Sequence, residues 1–338
     1  MASPRLTDLP IPPAEKQGWP WTEESSPSLS LPQHSSEWPR ITVITPSFNQ
    51  ARFVEETIRS VLLQRYPNLE YLVLDGGSTD GSVEIIKKYS PWIDYWQSEP
   101  DGGQSAAINS GLKRGNGIYA TWINSDDLLC KDALVRQAFE MLRSGPMPDS
   151  PAAVYSGMCT YVDVSGMVLS THQGKIHTLE DLIHLGRIWR ANGHIVQPEV
   201  LFPRELALKA GGLDPENHYT MDYELWGKLL MAGAQFRYTP VPFGIFREQP
   251  HQKTQDMLRQ TQSLVASATK LVHLSTEFSE ITRAALLTEL RQFGIGYEES
   301  YWRASGRIAR LGLPREIVLW LRRLKGGGKR LPVSEPRK

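Results

Sequence analysis

Tyr119-Ala120-Thr121-Trp122-Ile123-Asn124-Ser125-Asp126-Asp127 is the stretch on which the reading of this chain turns. A short run of aromatic, small and β-branched residues, the composition of a buried strand, stops at two adjacent carboxylates. At the carboxyl end of such a strand, paired carboxylates either bind a divalent cation or repel one another, which raises a pKa. Asn124, Ser125 and Asp126 are equally good turn and helix-capping residues, and a helix is expected to follow over 131–142. The residues upstream weigh on this choice.

Residues 41–45, Ile-Thr-Val-Ile-Thr, read as a short buried strand ended by Pro46. Ser47 or Asn49 is placed to cap a helix whose apolar residues Val54, Ile58, Val61 and Leu62 share one face. Pro67 and Asn68 turn the chain into a second strand over 71–74 that ends at Asp75. The turn 76–81 then opens a helix holding Val83, Ile85 and Ile86. A third strand over 93–96 leads through Asp101 to a helix with Gln104, Ile108 and Leu112. This alternation predicts an α/β domain, Rossmann-like, with a mostly parallel central sheet and right-handed crossovers. Ligands of such sheets lie beyond the carboxyl ends of the strands. Thr45, Asp75, Asp101 and Asp126/Asp127 stand at those ends, so one crevice is expected to collect them.

The first strand is not followed by Gly-x-Gly-x-x-Gly, which disfavours a nicotinamide or flavin dinucleotide, nor by a P-loop. Without a glycine cradle for phosphates, a metal held by acidic side chains is the expected device for neutralising a diphosphate. The 338 residues have a formal charge of zero, which gives no case for nucleic acid as partner. Cys130 and Cys159 cannot build a disulfide framework, so a reducing cytoplasm is the default. No signal peptide or membrane-spanning run is evident. Residues 1–39 read as a Pro/Ser-rich extended arm that Trp19, Trp21 and Trp38 anchor across the body.

With these segments in hand, the chain resembles the inverting family 2 glycosyltransferases of the A-type fold. The likeness is carried by Ile41-Thr42-Val43-Ile44-Thr45-Pro46-Ser47-Phe48-Asn49-Gln50, Asp75-Gly76-Gly77-Ser78-Thr79-Asp80-Gly81-Ser82, Glu99-Pro100-Asp101-Gly102-Gly103-Gln104 and Asn124-Ser125-Asp126-Asp127. It runs from about residue 40 to 255, with a nucleotide-binding half over 40–130 and an acceptor half over 131–255. The resemblance implies a nucleotide-diphosphate sugar as donor, UDP- or dTDP-linked, and a divalent metal, Mn²⁺ or Mg²⁺. It implies that Thr45, Pro46 and Ser47 line the nucleotide pocket and that Asp75 contacts the base. Asp101 and Gln104 would hold nucleotide or donor sugar. Asp126 and Asp127 fall in the region that binds metal and ribose, where Asn124 replaces the usual first acid. Asp126 is favoured as the metal ligand, with Asp127 as partner.

Met221-Asp222-Tyr223-Glu224-Leu225-Trp226 is similar to the segment carrying the family's catalytic base, which makes Asp222 the favoured base and Glu224 a lesser candidate. In the loop after Phe246 and Arg247 the family often has His where this chain has Gln249; His251 is the alternative ligand. The absence of a Gln-x-x-Arg-Trp motif and of membrane spans points away from the processive synthases and toward one sugar per encounter; the resemblance implies cell-envelope polysaccharide synthesis on a glycan or lipid-linked acceptor. Asp163, in a hairpin around Ser165-Gly166, is placed near the acceptor side. His172, His177 and His184 read as solvated loop residues. Residues 256–338 are expected to be helical and basic, and 303–330 to touch a membrane surface peripherally. Two other readings compete. A sugar-phosphate nucleotidyltransferase would need an Arg-containing, Gly-rich loop after the first strand, and a non-catalytic sugar-binding protein would keep the pocket without turnover.

Overall fold

The computed structural model describes residues 3–26, 29–32, 35–145, 152–250 and 252–310. Its strands β1 (Ile41–Ser47), β2 (Leu69–Asp75), β3 (Tyr95–Ser98) and β4 (Tyr119–Trp122) lie in the order β3-β2-β1-β4, all parallel. Helices α1 (Val54–Leu62), α2 (Ser82–Tyr89) and α3 (Gln104–Arg114) make the crossovers. Successive side chains of a strand point to opposite faces. Val43, Tyr71 and Val73 therefore enter a core beside α1, while Ile44, Leu72 and Leu74 enter a second core on the other face. Burial on both faces explains why these strands read as continuous apolar runs.

Local details depart from the expectation. Pro46 lies inside β1 rather than ending it. Ile44 O accepts from Ile123 N at 2.9 Å. Pro46, two residues on, faces the same side beyond the last β1–β4 pair, Ile44 with Trp122, where its missing N–H breaks no ladder bond. Neither Ser47 nor Asn49 caps α1, whose cap is Phe53. β3 begins at Tyr95, because a 3₁₀ turn over Ser90–Trp92 occupies the residues before it.

After β4 come β5 (Leu128–Leu129), α4 (Ala133–Ser144), β6 (Ala153–Val162), β7 (Val168–His172), α5 (Leu179–Ile183), α6 (Leu185–Arg190), β8 (Val200–Pro203), α7 (Arg204–Lys209), α8 (Met221–Met231), β9 (Gln235–Arg247), α9 (Met257–Leu274) and α10 (Glu280–Arg310). The 9-stranded sheet runs β3-β2-β1-β4-β8-β6-β9-β5, with β7 also on β6. β8 is antiparallel to β4 and β6, but the long β6–β9 ladder is parallel, so parallel pairing dominates. The helix after the paired carboxylates is capped at Asp132, not at Asn124, Ser125 or Asp126.

The arm is anchored by its tryptophans. Trp21 is buried, Trp19 Nε1 donates to Leu129 O at 2.9 Å, and Trp38 packs edge-on against Tyr66 with ring centres 6.1 Å apart. Arg59, wholly buried on α1, donates to the carbonyls of Pro10, Pro20 and Trp21, so the body itself supplies donors for arm carbonyls. Two expectations are corrected here. His172 is a buried strand residue whose Nε2 lies 2.6 Å from His194 O, and His184 Nδ1 sits 2.8 Å from Glu289 on α10. His177 is exposed. α9 and α10 are helical as the tail composition required, and most of 303–330 falls in 311–338, outside the described residues. No helix among the described residues is long and apolar enough to cross a membrane.

Candidate active site

A cleft of about 1690 Å³ opens over the carboxyl ends of β1, β2, β3 and β4, and Pro46, Ser47, Asp101, Gln104, Asn124, Asp126, Asp127 and Asp222 all line it. Ser47 Oγ is buried in its floor with no partner among the described residues, a polar atom left for a ligand to satisfy. Thr45 and Asp75 are buried and do not line the cleft. Thr45 Oγ1 bonds Tyr71 OH at 3.0 Å. Asp75 Oδ2 accepts from Gly77 N, Ser78 N and Ser98 Oγ at 3.2, 2.8 and 2.7 Å, and Oδ1 from Ser78 Oγ at 2.6 Å. That uses the roughly four acceptor sites of a carboxylate. Asp75 thus shapes the turn whose Gly76 and Gly77 do line the cleft. A Cβ on Gly76 would stand 3.2 Å from Asp101 Oδ1, so glycine lets the ends of β2 and β3 close together.

Beyond β4 a polar chain crosses the cleft floor. Gln104 Nε2 donates to Asn124 Oδ1 at 2.7 Å, and Asn124 Nδ2 donates to Asp127 Oδ2 at 3.0 Å. Asp127 Oδ1 accepts from Arg247 N at 2.9 Å, which ties the end of β9 to the end of β4. Burial, and then the charge of Asp126, push the Asp127 carboxyl well above the usual range. Asp126 is more open; Gln249 Nε2 donates to its Oδ2, and burial raises its pKa as well. Arg247, itself buried, donates from Nε to Asp126 O at 3.0 Å and from Nη2 to Glu56 at 3.0 Å. Lys253 Nζ reaches Gln104 Oε1 at 3.4 Å, and burial lowers its pKa.

Asp222 enters from α8. The indole of Trp226, one turn further along, stacks on Trp122 with centres 5.9 Å apart, and Trp122 lies one turn's length of sequence before Asp126. One aromatic contact therefore ties the helix that carries Asp222 to the strand that leads into the paired acids. Burial pushes the Asp222 carboxyl up to about 6 against the opposing bond from Tyr223 N at 2.8 Å. Glu224 faces the other way. It is buried against Lys228 and Lys270, each at 2.8 Å, and Asn217 Nδ2 at 3.1 Å, and it does not line the cleft. Although burial acts to raise its pKa, those bonds outweigh it and hold the carboxyl low, which makes Glu224 a structural ion-pair residue rather than a base. Asp163 is likewise occupied locally, its Oδ1 accepting from Ser165 N at 2.8 Å and Met167 N at 3.0 Å inside the hairpin turn.

Among the described residues no group of three His, Cys, Asp or Glu side chains is poised around one point. His251 lies outside them. Asp126 at the cleft surface fits a cation bound through one carboxylate and the donor's own phosphates, a mode usual for Mg²⁺. Sequence reading did not single out Arg247, Glu56 or Lys253. The only signal for Arg247 and Lys253 was the polar run after Phe246, whose meaning depends on β9 returning beside β5, and Glu56 on α1 gave none.

Residues 42–158 match the sequence profile described as Glycosyl transferase family 2. An uncharacterized glycosyltransferase of Mycobacterium tuberculosis is 41% identical over 113 residues, 33% of this chain and 43% of the relative, so the match spans less than half of that protein. The S. aureus TarS 1–349 structure in complex with UDP-GlcNAc aligns with a TM-score of 0.56 at 16% identity, covering 75% of this chain and 72% of that one. The mannosyltransferase PcManGT from Pyrobaculum calidifontis, in complex with GDP-Man and Mn²⁺, aligns with a TM-score of 0.52 at 18% identity over 84% of each chain. At these identities the structural likeness is one of fold.

Proposed function

We propose that the chain, whose residues 42–158 match the family 2 glycosyltransferase profile, is an inverting, non-processive transferase of that family. It moves a sugar from a nucleotide-diphosphate sugar to an acceptor hydroxyl. The observation that carries this reading is a carboxylate with a pKa of about 6, Asp222, facing the same cleft as Asp126. A base of that strength is ionised at neutral pH yet basic enough to draw the proton from an attacking hydroxyl as the new bond forms. Such help is typically ~10²–10⁴-fold, or about 3–5 kcal/mol of barrier.

The acceptor oxygen attacks the anomeric carbon, the bond to the nucleotide diphosphate breaks on the far face, and Asp222 takes the proton. Asp126 would hold a divalent cation, Mn²⁺ or Mg²⁺, whose charge stabilises the leaving diphosphate when it is bound. Gln249 orients Asp126, and Asn124 with Arg247 N–H holds Asp127 beneath it. Lys253, with no carboxylate partner among the described residues, adds positive charge on the Gln104 side of the cleft. Ser47 and the Gly76–Gly77 turn receive the nucleotide, with Asp75 supporting the turn from below. A uracil or thymine base remains the expectation; the fold neighbours bind UDP-GlcNAc in one case and GDP-Man in the other.

The test is hydrolysis and transfer with UDP-, dTDP- and GDP-sugars in Mn²⁺. Turnover lost in Asp222→Asn, with nucleotide binding kept, is the expected result. Nucleotide-sugar binding without turnover on any donor would return the chain to the sugar-binding reading.

A further inference from the structure

Asp126 and Asp127 run straight into β5 and the start of α4, and buried polar side chains hold that segment in place. Thr57 Oγ1 donates to Asp127 O at 2.7 Å, Ser60 Oγ accepts from Leu129 N at 3.1 Å, and Gln64 Nε2 donates to Cys130 O at 2.8 Å. Thr57 and Ser60 on α1 and Gln64 just past its end stand at i, i+3 and i+7, so they share one face. All three are buried, although that face is polar. Glu56, next to Thr57, takes the Arg247 side chain that bonds Asp126 O.

The arm supplies the rest. Leu129 O accepts from Trp19 Nε1 at 2.9 Å. Asp132 N donates to the buried Ser25 Oγ at 2.9 Å, and Ser26 N donates to Asp132 Oδ1 at 3.2 Å. Asp132 needs that hold, because it caps α4 with a φ of 62°, a left-handed conformation that costs energy for a residue with a Cβ. The arm is tied in turn to α1: Arg59 donates to Pro20 O and Trp21 O, each at 3.0 Å, and Ser25 N donates to Leu63 O at 3.1 Å. Leu9 and Trp21 would suffice to cover apolar surface. The indole N–H of Trp19 and the hydroxyl of Ser25 are instead directed at the backbone that leaves the paired acids.

We propose that the N-terminal arm is a working part of the donor site. Through Trp19 and Ser25 it fixes the exit of the Asp126–Asp127 turn, and with it the direction in which Asp126 meets the donor's diphosphate. Neither residue lines the cleft, so both are positioning residues. This rests on the transferase reading above. Without the arm's bonds Leu129 O and Asp132 N must turn toward water, and the turn is held only by α1 and β9.

The experiment uses the full chain with Mn²⁺ and the donor it hydrolyses best. It reads kcat, donor KM, the Kd of the nucleoside diphosphate that this donor releases, and amide hydrogen exchange over 127–132. Trp19→Phe keeps an aromatic ring and removes the N–H, and Ser25→Ala removes only the hydroxyl. Each is expected to raise donor KM and the nucleoside diphosphate Kd about fivefold, the worth of one hydrogen bond, with kcat little changed. The split follows because Asp126 meets the diphosphate both before and during bond breaking. Exchange within 127–132 should quicken in both variants, with or without nucleotide. Trp38→Leu is the comparison, since Trp38 holds the arm against Tyr66 and not against this segment. It is expected to lower Tm and leave donor KM and Kd unchanged. Donor KM and Kd at wild-type values in Trp19→Phe and Ser25→Ala overturn the proposal. So does an equal rise in Trp38→Leu, which would make the arm a stabiliser only. A wild-type protein that neither binds nor hydrolyses any nucleotide sugar fails the transferase reading first; a wild type that turns over, matched by both arm variants, fails this inference alone.

Discussion

The backbone N–H of Arg247 donates to Asp127 Oδ1 at 2.9 Å, so the last residue of β9 fixes the second of the paired acids that follow β4. The Arg247 side chain extends the same junction to Asp126 O and Glu56. Arg247→Met keeps the backbone bond but leaves Glu56 without its cation in a largely buried place. A loss of about 3 kcal/mol is expected from breaking such a pair. Denaturant unfolding measures it, and unfolding at the wild-type midpoint would show that the junction is not held by charge.

Asp222, as the proposed base, is expected to set the acid limb of the pH profile. The base must be ionised, and burial has moved its pKa from 3.8 to about 6, so kcat is expected to fall as pH drops through about 6. Stability moves with its own sign. A folded pKa above the unfolded value stabilises the fold at low pH, and that contribution is lost as pH rises from about 4 to 6. Asp222→Asn should therefore have a Tm at pH 7.5 no lower than wild type while losing ~10²–10⁴-fold in turnover. Equal loss of Tm and turnover would make Asp222 structural.

Asp75 holds its turn from within. In Asp75→Asn the amide oxygen can stay with the Gly77 N, Ser78 N and Ser98 Oγ donors, but it carries no charge for them, and the NH₂ replaces the oxygen that accepts from Ser78 Oγ. About 1–3 kcal/mol of stability should be lost, with donor KM raised. A variant of wild-type stability but altered base preference would instead give Asp75 a direct contact with the nucleotide.

Gln249 stands beside Asp126 where a ligating side chain is expected. Gln249→His offers an imidazole there, and the Mn²⁺ concentration for half-maximal activity is expected to fall about tenfold. An unchanged titration would place position 249 outside the metal's reach.

Much of the sheet was legible because strand composition and helical spacing are local properties. Val54, Ile58, Val61 and Leu62 are buried as their spacing required, and Asp75 ends β2 while Asp101 and Asp126 follow β3 and β4. What was not legible was direction. Nothing in the spelling of Asp75 says that it faces down into Ser78 and Ser98 while Asp101 faces up, or that Glu224 turns toward Lys270 while Asp222 enters the cleft. His172 reads as a loop residue until β7 is laid on β6, which buries it against His194.

By itself, the order of residues determined which segments become buried strands, how they are connected, and that acids stand at their carboxyl ends. Only the tertiary structure decided which carboxylate is open to a ligand, which is held beneath it, and which aromatic rings meet across the cleft. The physical reason is range. Burial periodicity is written within each element, whereas the partners of Asp127, Asp222 and His194 come from segments whose approach is set by packing of the whole sheet, and hydrogen bonds and ring stacking form only after that approach.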